Sequence, residues 1–236
     1  MSHPEPTDPG DHEPEPSGAP EQGSESSSQD GSEGKGEDST KVSPIKEMFL
    51  LALLYLPMGF FLWFFAAALL MLPARLIVDA LLTGLFPELF AEVFQDGFIF
   101  EMQSPLEVRN PEDGRMMRLT WAVNPMIYAW GMALLFGLIM ATPLKVSRRL
   151  IQMAIGFAVI TVVTVWGSFW EAWRDLAFLF GPDIGAAVRE QGISPTAIAL
   201  CYQLGYLMFP AVIPVATWIL MNRDFIEREV LRHRQR

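Results

Sequence analysis

The sequence predicts an all-α membrane protein, a four-transmembrane-helix bundle with an extracytoplasmic amphipathic helix and a small β-hairpin, and three observations carry that reading. Four uncharged stretches of 21 residues or more, 48–72, 119–144, 150–170 and 191–222, are each long enough as helix to cross a ~30 Å hydrocarbon core. Basic residues gather in one short turn, Lys145-Val-Ser-Arg148-Arg149, and in a tail with Arg223, Arg228, Arg232, Arg234 and Arg236. Between the first two stretches the apolar pattern changes to a helical period and then to strict alternation.

Residues 1–43 are built from Pro, Glu, Ser, Gly and Asp, with too little apolar area to offset ordering entropy, so a disordered acidic tail is expected. Eleven acids against three lysines over residues 1–46 hold −8 of the chain's formal −10. The membrane domain is expected over 44–228, with spans near 48–72, 122–144, 149–171 and 195–221, and a basic tail over 229–236. The first span begins too deep and runs too long for a cleaved secretory signal, so it reads as an anchor. Positive charge near span ends places the Lys145–Arg149 turn and the C-terminal tail in the cytoplasm, and four spans then put the N-terminus there too. Trp121, Trp130, Trp166, Trp170 and Trp173 fall toward the opposite ends of spans two and three, where indole rings favour the headgroup level.

Outside the membrane, Arg75, Asp79 and Thr83 recur every four positions opposite Leu76, Ile77, Ala80, Leu81 and Leu85, which predicts an amphipathic helix between Pro73 and Pro87 lying on the bilayer surface. Phe98, Phe100 and Met102 then alternate with Ile99, Glu101 and Gln103. After a turn at Asn110–Gly114, Met117, Leu119 and Trp121 alternate with Arg118 and Thr120, which predicts a hairpin leading into the second span.

Small residues at four-residue spacing offer close helix approach: Ala133, Gly137 and Ala141; Ala154 and Ala158; Ala197, Cys201 and Gly205. Pro210 and Pro214 deprive Tyr206 and Pro210 carbonyls of their helical donors, so the last span should bend there. Asn124-Pro125 reads as an N-cap followed by proline at the first helical position.

For chemistry the sequence offers little. The single Cys201 sits among apolar residues, and the histidines, His3, His12 and His233, all lie in the tails, so an activated thiolate has no nearby base. No metal-ligand spacing and no Gly-rich phosphate loop occurs, so no metal or cofactor is expected. Glu171, Arg174 and Asp175 lie on one helical face beside Trp170, either as an interfacial salt-bridge set or as a polar lip for a partner. Tyr128, Tyr202, Gln203 and Tyr206 add a polar and aromatic patch in the outer half. Gln203 is costly in lipid unless paired, so it should face another helix.

Two stretches, Val123-Asn-Pro-Met-Ile-Tyr-Ala-Trp-Gly131 with Ala141-Thr-Pro143, and Tyr202-Gln-Leu-Gly-Tyr-Leu-Met-Phe-Pro210-Ala-Val-Ile-Pro214 with Asn222-Arg223, resemble the exosortase H-associated membrane proteins over about residues 44 to 228. The acidic tail lies outside that resemblance, and Trp130 stands where Tyr or Gly would be expected. The resemblance implies a noncatalytic accessory protein of the bacterial inner membrane that binds or positions an exosortase, or the transmembrane sorting signal of its substrates. Partner contact is then expected at Asn124, Tyr128, Trp130, Trp170, Glu171, Arg174, Tyr202, Gln203 and Tyr206. The rival readings are an intramembrane thiol enzyme using Cys201 and a small-molecule transporter.

Overall fold

The first apolar stretch does not stop at the membrane surface. In the computed structural model, which describes residues 44–109 and 114–227, α1 runs unbroken from Pro44 to Leu85. Its 42 residues make a rod about 63 Å long, about twice a hydrocarbon core. Phe61, Phe65 and Leu69 are exposed along its first half, as a lipid-facing surface requires. The acidic leader, the middle of the Asn110–Gly114 turn and the basic C-terminal tail lie outside the described residues.

The expected separate surface helix over 73–87 is therefore the second half of α1. Pro73 removes one backbone bond, but Met71, Ala74, Val78 and Leu82 recur at helical spacing and are all buried. Their burial outweighs the missing bond and keeps the rod intact. The amphipathic period is present, but its polar side grips a sheet rather than headgroups: Arg75 Nη1 donates to the carbonyl of Val93 at 3.0 Å, and Asp79 Oδ1 accepts from Val93 N at 2.9 Å.

That sheet has three antiparallel strands in the order β1 (Glu92–Asp96), β2 (Ile99–Arg109), β3 (Met116–Val123), one more than the expected hairpin. β1 and β2 join through a two-residue loop whose first residue, Gly97, has φ +60°, a conformation hostile to other side chains. Phe100, Met102, Leu119, Trp121 and Val123 are buried as the alternation predicts. Phe98, in that loop, and Met117 are exposed instead. Register shifts between Gln103 and Glu107, around Pro105, which has no N–H to offer the ladder; Met117 lies beyond the shift and off the core.

After β3 come α2 (Met126–Ala129) and α3 (Gly131–Ala141), then α4 (Val146–Phe178), α5 (Pro182–Glu190), α6 (Pro195–Gln203), a π-helical turn (Leu204–Met208) and α7 (Phe209–Met221). Among the described residues three helices, Phe49–Leu85, Val146–Phe178 and Pro195–Met221, are long and apolar enough to cross a membrane. The expected fourth is the shorter apolar helix Met126–Ala141, about 24 Å long, so three full-length candidate spans stand where four were expected. Its ends are trimmed by β3, which continues to Val123, and by Thr142-Pro143, where the chain becomes extended. α4 in turn runs past the expected Glu171 limit to Phe178.

Two cores result. The larger joins the second half of α1, the sheet, α4 and α5 around Phe90, Trp121, Trp173 and Leu176. The smaller joins α3, α4 and α7 through Leu135, Ile139, Ile160 and Trp218. Trp121 and Trp173 are core residues, ringed by Phe86, Phe90 and Phe180, and not members of a headgroup belt.

Close helix approach uses one predicted stripe and not another. Ala133, Gly137 and Ala141 are buried, and a Cβ on the facing Gly59 would lie 2.9 Å from the Ala133 carbonyl oxygen. Ala154 and Ala158 are exposed. Gly59→Val should therefore force α1 from α3 and lower stability by about 1–3 kcal/mol, whereas Ala158→Leu should be near neutral. Thermal melts of both variants in detergent check this; equal midpoints would remove the stripe's role.

Candidate functional site

Helical spacing on α4 creates the site. Glu171 and Asp175 stand four apart on one face, an arrangement that repels unless a cation intervenes, and Arg174 is that cation. Its Nε donates to Asp175 Oδ1 at 2.8 Å, its Nη2 bonds the same oxygen, and Nη2 lies 3.8 Å from Glu171 Oε1. Glu171 is 8% and Asp175 4% exposed, so the two carboxylates are buried beneath a half-buried Arg174 and do not form a solvated salt-bridge set.

Two further helices complete it. Asn124 Oδ1 accepts from Met126 N at 3.1 Å, the capping role expected of it, and this starts the turn that carries Tyr128 inward. Tyr128 is fully buried, and its hydroxyl donates to Glu171 Oε2 at 2.7 Å. Its ring rests on Gly167, where a Cβ would collide with it. From α6, the Tyr202 ring lies 4.4 Å beneath the Arg174 guanidinium, and Tyr206 stacks on Tyr202 at 5.6 Å. Tyr206 is 44% exposed, so the row runs from a buried carboxylate to the protein surface.

Of the expected residues, Tyr128, Glu171, Arg174, Tyr202 and Tyr206 come together, with Trp170 alongside on Trp166 and Phe169. Trp130 is half-buried at the α2–α3 junction, and Asn124 is a cap. Gln203 is exposed and has no hydrogen-bond partner among the described residues. Asp175 joins the triad, and its four-residue spacing from Glu171 is the sequence signal for it. Cys201 is half-buried and offers its carbonyl to Trp166 Nε1 at 3.1 Å.

A second polar knot ties the opposite end and has a weaker sequence signal. Gln152 Nε2 donates to Asn222 Oδ1 at 3.0 Å, Asn222 Nδ2 to the Trp218 carbonyl at 2.9 Å, and Trp218 Nε1 to Thr142 Oγ1 at 2.9 Å. Only the mid-helix Gln152 hints at it. Among the described residues no group of His, Cys, Asp and Glu could hold a metal ion.

A family model described as exosortase H-associated membrane protein matches residues 42–225, and the chain belongs to that family. No curated protein matches the chain, and no solved structure does. The two stretches that carry the resemblance touch: a Cβ on Gly131 would fall 2.8 Å from the Pro210 carbonyl oxygen, against Pro214.

Tyr128→Phe should leave a buried carboxylate oxygen short of its donor and lower stability by about 1–3 kcal/mol. Gly167→Ala drives a methyl into the same ring, which the Phe variant keeps, so its loss should persist beside that substitution. Melting midpoints of the two single variants and the double variant check this; a Gly167→Ala loss that vanishes in the Phe background would refer both effects to the hydrogen bond alone.

Proposed function

We propose that this member of the exosortase H-associated family is a noncatalytic accessory protein that binds an exosortase within the inner membrane, using Tyr202, Gln203 and Tyr206 with Trp170 and Trp130 as the contact surface and Tyr128, Glu171 and Arg174 as the support behind it. One observation carries the reading: Gln203 lies in the Pro195–Met221 span, about 12 Å along it, exposed and unpaired. A carboxamide at that depth is unfavourable in lipid and becomes favourable when a second helix supplies its partner. Stacked Tyr202 and Tyr206 beside it add rigid aromatic area of the kind that anchors interfaces.

The triad's part is positional. Held by two carboxylates, one of them fixed by Tyr128, Arg174 orients the Tyr202 face, so the surface is arranged before a partner arrives. The basic turn and tail lie in the cytoplasm on this reading, and the triad and sheet toward the opposite side. A sorting substrate's transmembrane signal could share the ledge, which needs only an apolar helix with a polar atom opposite Gln203.

Gln203→Leu and Tyr206→Ala, each on the surface, should leave the melting point within about 0.5 kcal/mol of wild type in stability terms. Recovery of the exosortase with the tagged, solubilised protein should fall at least several-fold. Cys201→Ala should keep full sorting; complete loss at normal protein level would revive the thiol-enzyme reading.

A further inference from the structure

We propose that the basic end of the bundle holds a headgroup site for an anionic phospholipid, in the cavity between the α3–α4 turn and the C-terminal end of α7. The cavity, about 320 Å³, is walled by Lys145 and Arg148 on one side and by Asn222, Asp224 and Phe225 on the other. Lys145 and Arg148 form no ion pair among the described residues, and both are exposed. Asp224 opposes an anion, but its field also falls on the adjacent Arg223. Two unpaired cations against one shared carboxylate leave the cavity with a preference for negative charge.

Its floor is rigid. Asn222 is 3% exposed and tied to Gln152 and Trp218, so the wall facing the ligand is held by the polar knot. The apolar surroundings select a lipid over a free anion. Pro143, Leu144, Met221 and Phe225 complete the lining, and Val146, Leu150 and Ile151 on α4 and Ile219 and Leu220 on α7, close in sequence to the lining residues, are exposed. A phosphodiester in the cavity would leave its acyl chains along that flank, whereas inorganic phosphate would use none of it. Basic pockets between membrane helices at this level take such headgroups.

Native mass spectrometry of the full chain released from nanodiscs of mixed phosphatidylglycerol and phosphatidylcholine tests the site. The wild-type protein should retain phosphatidylglycerol preferentially, and Lys145→Gln and Arg148→Gln should each weaken that retention about five-fold. Lys46→Gln, which removes an exposed cation of α1 outside the cavity, should change it little. Retention of phosphatidylcholine serves as the internal check that each variant is folded. Equal losses from Lys46→Gln would reduce the effect to general surface charge and overturn the proposal. So would undiminished phosphatidylglycerol retention in the Lys145 and Arg148 variants, or its displacement by millimolar inorganic phosphate.

Discussion

Burial of two carboxylates on one face of α4 is the constraint to which the outer half of the molecule answers. Removed from water, Glu171 and Asp175 need donors and a cation, and each comes from a defined place: Arg174 from the same helix, Tyr128 from α2. Tyr128 can reach only because Gly167 leaves room for its ring and Asn124 turns the chain out of β3. The short α2 is thus fixed by the hydrogen bond it delivers. Arg174 in turn sets the Tyr202 ring, and Tyr202 sets Tyr206.

Prolines act differently along the chain because their surroundings differ. Pro57 and Pro73 lie inside α1 without ending it, and around Pro73 the burial of Met71, Ala74, Val78 and Leu82 holds the rod. Pro210 follows a π-helical turn in which Phe209 N reaches back to the carbonyl of Leu204, so the winding changes where proline disrupts the ladder. That region packs on Gly131, which lets the Pro210–Pro214 segment lie against α3. The two stretches that resemble the family therefore include a helix-helix contact, the Asn124 cap and Thr142, which accepts from Trp218.

Much of the fold could be read from local pattern. Apolar length gave the spans at α1, α4 and α6–α7, alternation gave β2 and β3, and the Asn-Pro pair gave a cap. What failed did so for tertiary reasons. The four-residue period of Arg75 and Asp79 is the same whether a helix lies on lipid or clamps a strand, and only the position of Val93 decides between them. β1 escaped notice because five residues with one buried apolar side chain carry almost no periodic signal. Gln203 looked like an interhelical residue, yet among the described residues it is left exposed.

The sequence by itself determined that this is a membrane protein, where its charges gather, and which residues at helical spacing share a face, because solvation and local geometry act within one segment. Only the tertiary structure decided that α1 is one rod, that helix fills only Met126–Ala141 of the second apolar stretch, and that Tyr128, Arg174 and Tyr202 meet. Those outcomes depend on competition between segments far apart in the chain, where burial of one element sets the length and partners of another.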